Sequence, residues 1–205
     1  RQDCAKSAES TTAAAGALLP RCQLRPLLSK PKLPMFDNTM PPVEIAMSEI
    51  RVPTPDGHLF VKRWQPQAGA GNAPQKAPIV LMHDSLGSVA LWRDFPEQLA
   101  VATSREVIAY DRLGFGQSDP NPHQLGPRFV EGEVTTGFTP IHQALGLDAF
   151  VMLGHSVGGG MAAMVAATYP VQCKALMTES AQSFVEERTL EGIRAARDNF
   201  ARPGQ

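Results

Sequence analysis

Phe150-Val151-Met152-Leu153-Gly154-His155-Ser156-Val157-Gly158, continuing into Gly159-Gly160-Met161-Ala162-Ala163-Met164-Val165-Ala166-Ala167, is the stretch from which the rest of the chain can be read. Four apolar residues in a row predict a strand buried on both faces, and the small and apolar residues after Gly158 predict a helix. Between them stands Gly-x-Ser-x-Gly. A serine on so tight a strand-to-helix turn has a strained backbone with no room for side chains two positions to either side, which accounts for Gly154 and Gly158. Ser156 Oγ would stand exposed on the turn, and the N-terminus of the following helix would lend positive potential to a developing oxyanion. The pattern predicts Ser156 as a nucleophile; the plainer reading is a structural serine in a glycine-rich turn.

Upstream, Ala77-Pro78-Ile79-Val80-Leu81-Met82 and Val107-Ile108-Ala109-Tyr110 are two further apolar runs of the kind buried in a parallel sheet, and Ala175-Leu176-Met177 is a weaker one. Helical text separates them, from Leu91 to Thr103 and from about Phe138 to Leu145. Before them, Ile50-Arg51-Val52 and Leu59 to Trp64 flank Thr54-Pro55-Asp56-Gly57, a β-hairpin signal. Strands alternating with helices after an opening hairpin predict an α/β fold with a mostly parallel sheet and flanking helices. Residues 1–46 carry no periodicity, and prolines recur there at Pro20, Pro26, Pro31, Pro34, Pro41 and Pro42, so they read as a disordered leader. Residues 47–182 read as the α/β domain. Residues 183–205, with Val185, Leu190, Ile193 and Phe200 among charged residues, read as the first amphipathic helix of a cap.

The net charge is −1, from 19 basic and 20 acidic residues, so no global field favours nucleic acid or an acidic membrane surface, and a small-molecule partner is expected. Cys4, Cys22 and Cys173 form neither a disulfide framework nor a zinc pattern, and reduced thiols in the cytoplasm are the expectation. No metal or cofactor is implied. No apolar run approaches the roughly 18 to 20 residues of a membrane-spanning helix. Residues 13–19 are the best candidate for a targeting segment, but the run is short and lacks a clear cleavage site.

Three motifs in order carry a resemblance: His83-Asp84-Ser85-Leu86-Gly87 after the strand Ile79–Met82, Asp111-Arg112-Leu113-Gly114-Phe115-Gly116-Gln117-Ser118-Asp119 after the strand Val107–Tyr110, and the serine turn itself. Together they resemble the α/β-hydrolase superfamily over roughly Ile50 to the C-terminus, most closely the cap-bearing serine esterases, carbon-carbon bond hydrolases and cofactor-free haloperoxidases. The resemblance implies an acyl-enzyme on Ser156, a small ester or related carbonyl substrate, and an oxyanion hole made by the N–H groups of Ser85 and Val157. Asp84 stands where the family has glycine, which Asp can accommodate in an unusual backbone conformation. His83 would shape the loop rather than transfer protons. His155 would point away from Ser156 and pack. His58, His123 and His142 read as surface or satisfied polar residues, and Asp111 and Ser118 as braces of their loop.

In that superfamily the order along the chain is serine, acid, histidine. No histidine follows Ser156 in this sequence, and too few residues remain for the later strands and a cap, so the expectation is an incomplete fragment truncated at its C-terminal side. Glu179 is a candidate acid; a residue after the next strand is the other. Two alternatives come from different classes. Gly154, Gly158 and Gly160 also match the phosphate-binding turn of an NAD(P)-dependent short-chain dehydrogenase, with Glu179 as its ribose-binding acid, although that turn should follow the first strand and no Tyr-x-x-x-Lys pair follows. A non-catalytic binding protein on the same fold is the other.

Overall fold

The structure, a computed structural model, describes residues 43–67, 76–181 and 186–200. The leader expected over residues 1–46 therefore falls outside the described residues up to 42, as do residues 182–185 and 201–205. The hairpin is longer than its sequence core suggests: β1 runs Ile45–Thr54 and β2 Gly57–Pro66, paired in antiparallel register throughout. There follow β3 (Ile79–Met82), a 3₁₀ turn (Val89–Trp92), α1 (Phe95–Thr103), β4 (Val107–Tyr110), α2 (Phe129–Glu133), a π-helical turn (Val134–Phe138), α3 (Thr139–Leu145), β5 (Phe150–His155), α4 (Val157–Thr168), β6 (Cys173–Glu179) and α5 (Glu187–Phe200).

The six strands form one sheet in the order β1-β2-β4-β3-β5-β6, parallel from β4 to β6 with the hairpin antiparallel at one edge. The continuous apolar runs behave as expected: every residue of β3 and β4 is buried. Period-2 alternation divides them between two cores. Val80, Met82, Ile108, Tyr110, Phe150 and Met152 face Phe138, Ile141 and the α4 residues Met161, Ala162 and Val165. On the opposite face, Ile79, Leu81, Val107, Ala109, Val151 and Leu153 meet Phe60, Trp64, Val89 and Ala100. Both faces of the central strands are thus removed from water, which is what a parallel sheet requires. The register places Met82 beside Gly154 and His155 beside Glu179, so the loop after β3, the serine turn and the end of β6 converge at one edge of the sheet.

Three elements depart from the expectation. The helix expected from Leu91 breaks at Arg93 and restarts at Phe95, because Pro96 fits the first turn of a helix but not its interior. The helix expected from Phe138 begins at Phe129 and widens into the π-helical turn just before Pro140. Proline cannot donate to the carbonyl four residues back, and the wider turn accommodates it. β6 is longer than Ala175–Met177 and, unlike β3 to β5, mostly exposed: among the described residues it is bonded on one edge only. The helix expected in the cap segment forms as α5, with Ile193 and most of its described surface exposed.

Candidate active site

Ser156 sits between the end of β5 and the start of α4 with φ 53° and ψ −122°, a backbone conformation that L-residues seldom adopt and that needs surrounding structure to hold it. That structure is visible on both sides. Ser156 N–H donates to the Glu179 carbonyl on β6 at 2.9 Å, and its own carbonyl accepts from Gly159 N–H at 2.9 Å. A Cβ at Gly154 would overlap the Gly158 carbonyl, and one at Gly158 would overlap the carbonyls of Met82 and His83. The first turn of α4 therefore rests directly on the ends of β5 and β3, and the glycines two positions either side of Ser156 are steric necessities. Val157 is the first residue of α4, so its N–H has no intrahelical acceptor.

The loop after β3 is held tightly. His83 is 2% exposed; its Nδ1 donates to the Asp84 carbonyl at 2.9 Å while Nε2 accepts from the Arg112 backbone N–H at 3.2 Å. Those partners assign the neutral tautomer. Burial first, and then the Arg112 charge, push the His83 pKa from 6.5 down to about 4. Both ring nitrogens are engaged and the ring is enclosed, so His83 shapes the loop, as expected. Asp84 needs no left-handed backbone, contrary to the accommodation suggested for it: among the described residues only Arg93, Ser104, Ser156 and Ser180 are non-glycine residues with positive φ. Its Oδ1 accepts Leu86 N–H at 3.0 Å, and this local turn takes up the position that glycine would otherwise ease. Ser85 is exposed, and its N–H makes no hydrogen bond among the described residues.

Asp111 and Ser118 brace the neighbouring loop as expected. Asp111 accepts from Val89 N–H at 2.6 Å and Gln117 N–H at 2.7 Å, and Ser118 Oγ donates to the Asp111 carbonyl while accepting from Phe60 N–H at 2.8 Å. Burial raises the Asp111 pKa, and the two backbone donors oppose the rise.

A cavity of about 240 Å³ opens at this edge, lined by Asp84, Leu91, Trp92, His155 and Glu179 among others. The expectation that His155 merely packs is incorrect. Its ring is 35% exposed, with Nε2 3.1 Å from Glu179 Oε2 and Nδ1 3.5 Å from Asp84 Oδ2, so it bridges two carboxylates that the register of β5 and β6 and the β3 loop bring to either side. His142 also departs from the satisfied polar residue expected. Its ring packs against Phe138, Phe150 and Tyr169, and Nε2 has no partner among the described residues. His58 and His123 are surface residues paired with Asp119 and Asp56. No described histidine is hydrogen-bonded to Ser156. Among the described residues, no group of three or more His, Cys, Asp or Glu side chains is placed to hold a metal ion.

Sequence reasoning missed Glu133. It lies on α2, ahead of the point where helical text was recognised, and is buried against the sheet with Tyr110 Oη donating to its Oε1 at 2.8 Å. Burial raises its pKa from 4.5 to about 7, against the Tyr110 hydrogen bond and the Arg112 charge, which lower it. A carboxyl whose folded pKa is raised adds stability that is fully present below pH 4.5 and lost as pH rises through about 7. Glu133→Gln, which keeps an acceptor for Tyr110, should therefore gain about 3 kcal/mol over the parent between pH 5 and pH 8. Denaturant titrations at the two pH values measure this; parallel pH dependence in both proteins would rule it out. His83 imposes the opposite slope, its stabilisation being lost as pH falls from 6.5 towards 4, but it is common to both proteins and cancels.

The glycine-rich turn follows the fifth strand of a sheet that opens with an antiparallel hairpin, which removes the dehydrogenase reading. Comparison with known proteins agrees. A profile described as the alpha/beta hydrolase fold matches residues 77–202. The chain is 33% identical over 120 residues to the human protein named 1-acylglycerol-3-phosphate O-acyltransferase ABHD5, covering 58% of this chain and 34% of that protein. It is 30% identical over 102 residues to the (Lyso)-N-acylphosphatidylethanolamine lipase of Bos taurus, covering 50% and 29%. It thus spans about a third of the length of these curated relatives. The crystal structure of the haloalkane dehalogenase DatA from Agrobacterium tumefaciens C58 superposes with a TM-score of 0.60 at 19% identity, covering 78% of this chain and 50% of that one, a likeness of fold. With the motif order, sheet topology and profile match in agreement, the chain belongs to the α/β-hydrolase fold family.

Proposed function

We propose that this chain carries the nucleophile-bearing part of a serine hydrolase acting on a small ester or related carbonyl substrate. The observation that supports this reading best is the strained backbone of Ser156 at the start of α4, with the N–H groups of Val157 and Ser85 without partners among the described residues on the same edge of the sheet. Ser156 Oγ attacks the carbonyl carbon, its proton passing to a histidine base. The carbonyl oxygen becomes an oxyanion held by the two N–H groups. Collapse expels the alcohol, which takes the proton, and leaves an acyl-enzyme that water then cleaves. Glu179, whose carboxylate lies against His155 and whose carbonyl holds Ser156 N–H, is the candidate acid within the chain.

The relationship to a protein named as an acyltransferase favours one second reading, in which the same acyl-enzyme is passed to a hydroxyl acceptor other than water. A fluorophosphonate probe applied to the protein from its native source should add its phosphonyl mass to the peptide containing Ser156, and the Ser156→Ala form expressed from the same gene should remain unlabelled. Absence of any adduct on Ser156 would favour a non-catalytic binding protein on this fold. Adding an alcohol acceptor to the substrate assay of the unlabelled enzyme separates hydrolysis from transfer.

A further inference from the structure

The three motifs leave one buried cation without a role. Arg112 is 4% exposed, has its guanidinium stacked over Phe115 with Cζ 4.3 Å from the ring centre, and makes no ion pair among the described residues. Its donors go instead to the loop after β3. Nη2 donates to the Asp84 carbonyl at 2.7 Å and to the Ser85 carbonyl at 3.3 Å, and Nε reaches His83 Nε2 at 3.3 Å. The Asp84 carbonyl and the Ser85 N–H are the two ends of one planar, trans peptide unit, so whatever grips the carbonyl sets the direction of the N–H. Three donors grip it: Arg112 Nη2 at 2.7 Å, His83 Nδ1 at 2.9 Å and, at the longer distance of 3.4 Å, the Gly87 N–H. The Ser85 N–H on the far side of that peptide makes no hydrogen bond among the described residues.

We propose that Arg112 is a positioning residue for the oxyanion hole, aiming the Ser85 N–H at the reacting carbonyl by holding the opposite end of its peptide. This rests on the serine-hydrolase reading above. The guanidinium does more than orient. A full positive charge on the carbonyl end polarises the peptide and strengthens its N–H as a donor. Burial lowers the Arg112 pKa, and the nearby Glu133 carboxyl opposes that fall. Lysine cannot replace it, because a single ammonium cannot address His83 Nε2 and two successive carbonyls from one stacked plane.

The test uses the protein expressed from its own gene, with p-nitrophenyl esters and the matching thionoesters, whose sulfur accepts hydrogen bonds poorly and so reports on the oxyanion hole. Arg112→Lys and Arg112→Gln should lower kcat by about 100-fold, the loss expected for one oxyanion donor, with KM within roughly threefold of the parent. The preference for oxoester over thionoester should fall by a similar factor. A cavity of about 170 Å³ reaches Arg112 beside Phe115 and Glu133, so guanidinium ion should restore part of the turnover of Arg112→Ala where ammonium does not. Turnover at the parental rate in Arg112→Lys, or a lowered kcat with an unchanged oxoester to thionoester ratio, would overturn the proposal. Failure of all three variants to fold would do the same, leaving Arg112 a purely structural residue. A parent protein with no Ser156-dependent turnover at all would mark failure of the hydrolase reading itself.

Discussion

Replacing Gly158 by alanine should destabilise the fold by about 3 kcal/mol or more and abolish the reactivity of Ser156. The new Cβ would fall on the carbonyls of Met82 and His83, which are backbone atoms at the end of a buried strand bonded on both sides to β4 and β5. Neither partner can yield. The strand is fixed by its neighbours, and α4 is fixed by Met161, Ala162 and Val165 in the core. The gain of up to about 1 kcal/mol from exchanging glycine for alanine in a helix is too small to offset this overlap. For a chain of this size the melting temperature should fall by roughly 10 °C, and fluorophosphonate labelling should be lost with the geometry of the turn. Gly132→Ala in α2, where an added Cβ meets nothing within 4 Å, is the control and should be neutral or slightly stabilising. Equal melting temperatures for Gly158→Ala and the parent would show that α4 does not rest on β3 as described.

The 205-residue polypeptide itself should hydrolyse short p-nitrophenyl esters hardly faster than its Ser156→Ala variant. A serine hydroxyl is a weak nucleophile at neutral pH until a base takes its proton, and loss of one member of a triad removes most of the acceleration. None of the five histidines fills that role in the structure. His83 has both ring nitrogens engaged and is enclosed, and His142 packs among aromatic rings against the core. His58 and His123 pair with carboxylates near the hairpin. His155 is turned towards Asp84 and Glu179. What remains is the modest residual catalysis that binding and the oxyanion hole supply, roughly 10³-fold over water. Turnover of about 10 per second that disappears in Ser156→Ala would disprove this and would point to His155 or His83 as a base.

Most of the architecture was legible in the sequence because it is dictated locally. Ile79–Met82, Val107–Tyr110 and Phe150–Leu153 are apolar at every position, and only a strand covered on both faces suits such runs. Gly154 and Gly158 announce the turn at Ser156 by their spacing, although only the Cβ excluded at Gly154 meets a local neighbour, Gly158, while that at Gly158 meets the distant carbonyls of Met82 and His83. Helix limits were less legible. Pro96 and Pro140 set them, and whether a chain breaks, restarts or widens at a proline depends on what its neighbours tolerate.

The sequence alone therefore determined the fold class and the strand-turn-helix context of Ser156, through burial patterns and glycine spacing within ten or so residues, and it marked the loops after β3 and β4 through their resemblance to a family's motifs. Only the tertiary structure decided what the charged groups do. Arg112 meets the Asp84 carbonyl from 28 residues away, and Glu133 meets Tyr110 from 23. His155 lies between Asp84 and Glu179 only because the register of β5 and β6 and the path of the β3 loop bring them together. A charged side chain leaves no periodic trace of its partner, since Coulombic and hydrogen-bonding energies depend on distances in space that folding sets, whereas burial leaves its period in the chain itself.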